Sequence, residues 1–181
     1  METFSKSACA LAVVMLAIPV LVSNVVAQTF ILDFAQVSKT VEELTDASLV
    51  IANVTVQSVY PTTNLSETTI ALIETDSPLK VTRVLKGNKS SPQLVVSQTG
   101  GGNLLPRQYS LFQPGEHCIV FLTRLINGPT RPDRGIPRYN IVGEFSGLYR
   151  LDGTNPGWST GMTSAEIVTK IEAQVRASQN R

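Results

Sequence analysis

The stretch GEHCIVFLTR, residues 115–124, decides which fold this chain can adopt. Pro114 and Gly115 form a dipeptide that is typical of turns, and the residues HCIVFLTR that follow predict a β-strand. The strand carries His117, the only histidine of the chain, beside Cys118, the only cysteine beyond residue 28. The questions of fold and of chemistry therefore meet in one segment.

The pair His117–Cys118 raises the question of a thiol enzyme. Successive side chains of a strand point to opposite faces of the sheet, so the two groups are expected to diverge. Without a bulge at this point they cannot share a proton, and the chain has no second histidine. We expect Cys118 to be a buried apolar thiol; a disulfide between two chains is the alternative.

Further strands are predicted before and after this segment. In residues 49–60 the polar residues Asn53, Thr55 and Gln57 alternate with apolar ones, as in a strand with one face inward. Other runs of strand composition are separated by turn signals; they are residues 67–75, 79–87, 93–99, 139–145 and 147–153.

Two helices are predicted towards the ends of the mature chain. Each begins with a capping box, in which a threonine is followed three residues later by a glutamate; the pairs are Thr40 with Glu43 and Thr163 with Glu166. The helices are expected over residues 40–47 and 163–176. The second has an apolar face, formed by Ile167, Ile171 and Val175. Trp158, which precedes it, is expected to be a packing residue; a stacking platform for a ligand is the alternative.

The order of these elements predicts an all-β protein with minor α content. Six or seven short strands at regular spacing favour a five- to seven-stranded OB-like barrel or sandwich. The N-terminal helix is short, and the amphipathic C-terminal helix is expected to lay its apolar face on the barrel. Residues 28–181 are expected to form a single domain.

The segments ASLVIANVTVQSV, VTRVLKG, PGEHCIVFLTR and GEFSGLYRLDG follow an order that resembles small exported bacterial proteins of unassigned function. Their pattern is similar to the OB-like barrel of netrin-type domains and of tissue inhibitors of metalloproteinases, over about residues 46–153. In those inhibitors a mature N-terminal cysteine chelates the zinc of the protease, whereas the first mature residue expected here is Gln28. The resemblance therefore implies a fold and does not carry over inhibition by chelation.

Residues 1–27 have the pattern of an export signal. Lys6 gives a positive start, residues 9–22 form an unbroken apolar run, and small residues up to Ala27 allow a cut before Gln28. We expect cleavage after Ala27 and a secreted or extracytoplasmic protein. The alternative is an uncleaved N-terminal membrane anchor, since the apolar segment approaches the ~20 residues that span a bilayer.

Composition and motifs remove several function classes. A formal charge of +1 carries no global attraction for nucleic acid, so no nucleic-acid partner is expected. One mature cysteine excludes a disulfide within the chain, and one histidine with one cysteine is too few for a zinc site. The glycines 100–102 lack a following G-K-[ST], so they do not form a phosphate-binding loop. We expect no metal, no cofactor and no catalysis; an enzyme built on carboxylates is the alternative.

The best candidate for a functional site is a surface formed by two long irregular segments, residues 100–114 and 125–139. They combine arginine with aromatic residues, a common binding composition that resembles what OB barrels use to hold sugars or single strands by stacking. The candidate ligand-binding residues are Arg107, Tyr109, Phe112, Arg131, Arg134, Arg138 and Tyr139. Ordinary solvated loops are the alternative explanation.

We therefore expect an exported, non-catalytic binding or interaction domain. Its partner is expected to be an envelope polysaccharide or another exported protein. The alternative is an inhibitor of an exported hydrolase that acts through a loop, an idea that rests on fold resemblance. Three glycosylation triplets are open to use in a host with a glycosylating export pathway; they start at Asn53, Asn64 and Asn88.

Overall fold

The computed structural model describes residues 30–32, 39–60, 63–64, 73–88, 92–101, 104–106, 110–124, 138–143, 145–152, 155 and 157–180. The predicted export signal lies outside these ranges. Among the helices that they contain, none combines the length and the apolar character that a membrane crossing requires.

Nine strands and two α-helices make up this part of the chain. In chain order they are β1 (Phe30–Leu32), α1 (Val41–Ala47), β2 (Val50–Val56), β3 (Thr63–Asn64), β4 (Ile73–Lys86), β5 (Gln93–Thr99), β6 (Leu104–Pro106), β7 (His117–Arg124), β8 (Arg138–Ile141), β9 (Leu148–Arg150) and α2 (Ser164–Gln179). A short 3₁₀ helix, Gly157–Ser159, lies between β9 and α2.

Five of the strands close into a barrel. Their order is β2-β4-β5-β8-β7, and β7 pairs again with β2 to complete the ring. Neighbours in the ring are antiparallel except β5 and β8, which are parallel. β9 is an extra strand on β7, β3 pairs with β4, and β1 pairs with β6 in a separate sheet. The predicted mostly-β fold with two helices is confirmed, and the closed ring is compatible with an OB-like barrel.

The predicted strand over residues 117–124 is confirmed as β7, which pairs with three other strands. One edge of β7 pairs with β2 over residues 117–122. The other edge pairs with β9 over residues 118–120 and with β8 over residues 122–124. Both edges of the strand are therefore hydrogen-bonded within the sheet, and β7 holds the barrel wall together.

The unbroken apolar run of β7 serves two separate cores. Cys118, Val120 and Leu122 point into the barrel and pack with the inner residues of the other strands, which form the inner core. Ile119 and Phe121 point outward, into the outer core between the barrel wall and the helices. Each of these five residues is at most 1% exposed. Since burying a large apolar side chain stabilises a fold by about 1.5–3 kcal/mol, this one strand supports both layers.

Both helices begin where the sequence predicts and cover the outer core. Thr40 caps α1 and Thr163 caps α2, each through a complete capping box with the glutamate three residues later. At the C-terminal end of α1, Lys86 Nζ donates to the Thr45 carbonyl at 2.6 Å, a favourable place for a cation. The apolar faces of the two helices are buried in the outer core; they include Val41, Leu44, Ile167 and Ile171.

Trp158 is a packing residue, as the sequence predicts. Its ring meets Phe121 edge-on, with ring centroids 6.0 Å apart. Its indole N–H donates to the Ser146 carbonyl at 2.7 Å. Nearby, the Tyr149 hydroxyl donates to the Met162 carbonyl at 3.1 Å. These contacts fasten the connection between β9 and α2 to the barrel wall.

The prediction of separate strands over residues 67–75 and 79–87 is wrong at their junction, because β4 is continuous from residue 73 to residue 86. Asp76-Ser77-Pro78 has the composition of a turn, yet these residues pair with residues 95–97 of β5. Strand pairing and burial of this segment override its local turn preference.

Removing the cap of α2 should destabilise the protein. Glu166 N donates to Thr163 Oγ1, and Thr163 N donates to Glu166 Oε2 at 2.7 Å. We expect Thr163→Ala to lower the free energy of unfolding by about 1 kcal/mol, because it removes an N-cap acceptor. Urea denaturation followed by circular dichroism measures the change.

Thr169→Ala is the matched control, since Thr169 lies exposed in the same helix and its hydroxyl donates to the Ala165 carbonyl. Alanine has the higher helix propensity, so this variant should be as stable as the parent or slightly more so.

The capping box also makes the stability depend on pH. Hydrogen bonds from the backbone and side chain of Thr163 lower the pKa of Glu166. The contribution of this carboxylate is therefore complete above the ordinary glutamate pKa and is lost as the pH falls through the folded pKa. Equal, pH-independent losses in both variants would contradict this account.

Candidate functional site

His117 and Cys118 point away from each other, as expected for neighbours in a strand. Cys118 is 0% exposed inside the barrel, so the prediction of a buried thiol is confirmed. His117 is exposed on the outside, where its Nδ1 lies 3.1 Å from Thr55 Oγ1. Because the barrel wall separates the thiol from the imidazole, the two groups cannot exchange a proton in this conformation.

The surroundings of Cys118 also suppress its reactivity. Burial raises the pKa of the thiol to about 12; the Glu116 carboxylate contributes to the increase, and Arg150 opposes it. The thiol therefore stays protonated at neutral pH, whereas the nucleophilic form of cysteine is the thiolate. Cys118 acts here as a small apolar core residue.

Arg150 holds the end of the barrel that lies next to Cys118, its cross-strand partner. Arg150 Nε lies 3.4 Å from Glu116 Oε1, and Nη2 donates to the Ser110 carbonyl. The Asn155 side chain accepts from Arg150 N at 2.5 Å and donates to Arg150 O at 2.8 Å. The guanidinium thus holds the segment that leads into β7. Asn155 occupies the backbone hydrogen-bonding groups of Arg150 on the outer edge of β9, where a further strand would otherwise pair.

Cys118 should be protected from thiol reagents in the folded protein. A Cys9→Ala variant leaves Cys118 as the only thiol. At pH 8 we expect it to react with Ellman's reagent more slowly when folded than in guanidinium, by on the order of a thousandfold, because the thiolate fraction falls by that factor. The absorbance of the released thiolate measures both rates. Equal rates in the two states would show that the thiol is accessible and reopen the question of its reactivity.

A second polar cluster joins three strands on the outer face of the barrel. Arg138 Nη2 donates to both carboxylate oxygens of Asp76, at 2.7 and 2.8 Å, and to Ser97 Oγ at 2.9 Å. Ser97 Oγ in turn donates to Asp76 Oδ1 at 2.6 Å. The Asp76 side chain is 1% exposed and that of Arg138 is 11% exposed. The cluster therefore ties β4, β5 and β8 together through a nearly buried ion pair.

Sequence reasoning selects Arg138 as a ligand-binding residue but neither Asp76 nor Ser97, the two residues that bind it in the structure. Asp76 and Arg138 are 62 positions apart. They meet because β5 pairs with β4 on one edge and with β8 on the other. The available signal was a carboxylate flanked by strand residues, but Asp76 fell in the gap between the predicted strands over residues 67–75 and 79–87.

The structure places three of the seven candidate ligand-binding residues. Arg138 is paired with Asp76, as described above. Phe112 is 1% exposed and belongs to the inner core, and Tyr139, next to Arg138 in β8, packs half-buried against the same core. The remaining four candidates lie outside the described residues; they are Arg107, Tyr109, Arg131 and Arg134.

The three glycosylation triplets occupy different settings. Asn53 lies within β2, between β4 and β7, and is half-buried. Asn64 is the last residue of β3. Asn88 is exposed and follows β4 after one residue. Between Asn53 and Asn88, Asn88 is therefore the residue whose side chain a modifying enzyme could reach in the folded barrel.

An open cleft of about 500 Å³ lies between β4 and α2. Its walls are residues 81–85, Pro92 and Glu172. Arg83 Nη2 donates to Glu172 Oε1 at 2.5 Å, and both side chains are substantially exposed. Because solvent screens such a pair, it contributes little to stability. Of the predicted ligand-binding residues that the structure describes, none lines this cleft.

In the part of the chain that the structure describes, no three histidine, cysteine, aspartate or glutamate side chains are grouped as metal ligands. The chain matches no protein-family model, and no curated protein matches it in sequence. The interpretation of the site therefore depends on its geometry.

Breaking the Asp76–Arg138 pair should destabilise the barrel strongly. Asp76→Ala leaves a nearly buried guanidinium without its carboxylate, and such changes cost about 3–5 kcal/mol. Urea denaturation of the variant measures the loss. Glu172→Ala is the control, because it breaks the exposed pair with Arg83 and should cost at most about 1 kcal/mol. Similar small losses in both variants would show that the buried pair does not hold the strands.

Proposed function

We propose that this chain is an exported, non-catalytic binding domain. Taken in chain order, the barrel strands are β2, β4, β5, β7 and β8, so residues 125–137 connect the fourth to the fifth. OB barrels bind oligosaccharides and oligonucleotides on the face of strands two and three and on the loops between strands one and two and between strands four and five. Arg131 and Arg134 lie in the connection that such barrels use for binding.

The observation that carries this proposal is the position of the Asp76–Arg138 pair. It lies on the outer face of β4, β5 and β8, which includes strands two and three, and it holds the residue at which the arginine-rich connection returns to the barrel. Since the Asp76 carboxylate neutralises Arg138, we assign contact with the ligand to Arg131 and Arg134 instead. The barrel supplies the rigid base that a binding loop requires.

We assign different roles to the seven candidate residues. The proposed contact residues are Arg107, Tyr109, Arg131 and Arg134. The other three support them from the scaffold: Arg138 anchors the connection, and Phe112 and Tyr139 pack with the inner core. Guanidinium groups donate several hydrogen bonds in a fixed geometry, and an aromatic ring offers a stacking surface.

The ligand class that we favour is an envelope polysaccharide. Hydroxyl and carboxylate groups of sugars accept hydrogen bonds from guanidinium, and a tyrosine ring can stack on a pyranose face. A nucleic acid is disfavoured because the formal charge of +1 provides no long-range attraction for a phosphate backbone. The export signal predicted over residues 1–27 would bring the domain to the compartment where such a polysaccharide occurs.

The resemblance to netrin-type and metalloproteinase-inhibitor domains is compatible with the closed barrel and with helices before its first strand and after its last. It supports the alternative of a hydrolase inhibitor. Such an inhibitor would act through a loop, because Gln28, rather than a cysteine, is the first residue expected after cleavage.

Removing the two loop arginines should weaken ligand binding. We expect Arg131→Ala/Arg134→Ala to reduce the affinity for envelope oligosaccharides at least about tenfold, since one hydrogen bond to a charged group contributes about 1.5–3 kcal/mol. Amide NMR titration of the isotopically labelled protein measures the dissociation constant, and in the parent the shifts should cluster next to residue 124 and in β8.

Lys170→Ala/Arg176→Ala is the matched control, because it also removes two positive charges, from α2 on another side of the barrel. Its affinity should equal that of the parent. Equal losses of affinity in the two double variants would show that the effect comes from net charge and not from the two loop arginines. An unchanged affinity in the loop variant would remove Arg131 and Arg134 from the proposal, and inhibition of a hydrolase would favour the alternative function.

A further inference from the structure

The inside of the barrel contains a polar spot among apolar side chains. Ser77 lies opposite Val96 in the β4–β5 pair, and Thr75 lies opposite Gln98. Val96 belongs to the inner core, and side chains of paired or alternate residues share a face of the sheet. Ser77 and Gln98 are therefore diagonal neighbours that face inward, and they are 0% and 2% exposed.

Two polar atoms of this spot have no hydrogen-bond partner in the protein, namely Ser77 Oγ and Gln98 Nε2. Leaving such a buried group unsatisfied costs about 1–3 kcal/mol. Most buried polar atoms of folded proteins are satisfied, either by protein groups or by ordered water. The two orphan atoms on adjacent strands therefore point to a shared partner.

The orientation of the Gln98 amide is determined by the chain. Gln98 Oε1 accepts a hydrogen bond from Phe112 N at 2.8 Å. Exchanging the oxygen and nitrogen of the amide would turn an NH₂ group towards this N–H donor, so the exchange is unfavourable. Gln98 Nε2 must then donate elsewhere, and the group it meets needs a lone pair.

We propose that one ordered water molecule binds inside the barrel between Ser77 and Gln98. The water accepts a hydrogen bond from Gln98 Nε2 and forms a second one with Ser77 Oγ, which can donate or accept. Two polar partners in an enclosed site meet the minimum that a buried water requires. Both residues are nearly completely buried, and their neighbours Leu79, Val96 and Phe112 belong to the inner core. We therefore expect a partner no larger than a water molecule.

This water would be part of the support of β7. It holds the Gln98 amide in the orientation that receives Phe112 N, and Phe112 is the buried residue of the segment that leads into β7. The inference is independent of the proposed binding function, since it concerns the inner face of the barrel, whereas the ligand surface lies outside.

The sign of one stability change tests the inference. If the site is hydrated, Ser77→Ala removes a partner of the water and should lower the melting temperature of the full-length chain by about 2–4 °C. If the hydroxyl is an unsatisfied group in a dry site, the same change removes a penalty, and an unchanged or higher melting temperature would overturn the proposal. Ser58→Ala, at an exposed serine, is the control and should shift it by less than about 1 °C.

A direct measurement on the unmodified protein complements the variant. NMR cross-peaks between water and the side-chain amide protons of Gln98, or a crystallographic water within about 2.7–3.2 Å of both polar atoms, would support the site. A direct hydrogen bond between Ser77 and Gln98 with no water beside them would overturn it, whatever the stability of the variant.

Discussion

One nearly buried ion pair, Asp76 with Arg138, links the short strand β8 to β4 across the barrel wall. The strand that closes the ring, β8, has four residues and shares three paired positions with β5 and three with β7. So short a strand has few backbone hydrogen bonds with which to define its register. A guanidinium displaced from its carboxylate at this depth would be strongly unfavourable, so the pair favours the observed position of β8 against β4 and β5.

The second constraint is the alternation of β7. Its apolar residues divide between the inside of the barrel and the layer under the helices, and this division places Cys118 in the first and its neighbour His117 on the outer surface. The same geometry that builds two cores therefore separates the two groups that suggested thiol chemistry. Burial then raises the pKa of the thiol, so packing and loss of reactivity have a single cause.

The proposed binding function uses this scaffold from the outside. A closed ring with an anchored fifth strand gives the connection after β7 a rigid base at both ends, at residue 124 and at residue 138. Arg138 is paired with Asp76 on the barrel wall, whereas we propose that Arg131 and Arg134 of the connection bind the ligand. This division between an anchoring arginine and ligand-binding arginines is the central element of the proposal.

The sequence by itself determined the local elements: the two capping boxes, the strands over residues 93–99 and 117–124, and the divergence of His117 from Cys118. These features depend on residues a few positions apart, so the local sequence pattern is sufficient to predict them. Only the tertiary structure decided the continuity of β4 through a turn-like segment and the pairing of Asp76 with Arg138. It also brought two unpartnered polar atoms together inside the barrel. Each of these features depends on strands that are distant in the chain. In the buried interior, hydrogen-bond and charge partners determine the structure at positions where local preference is weak.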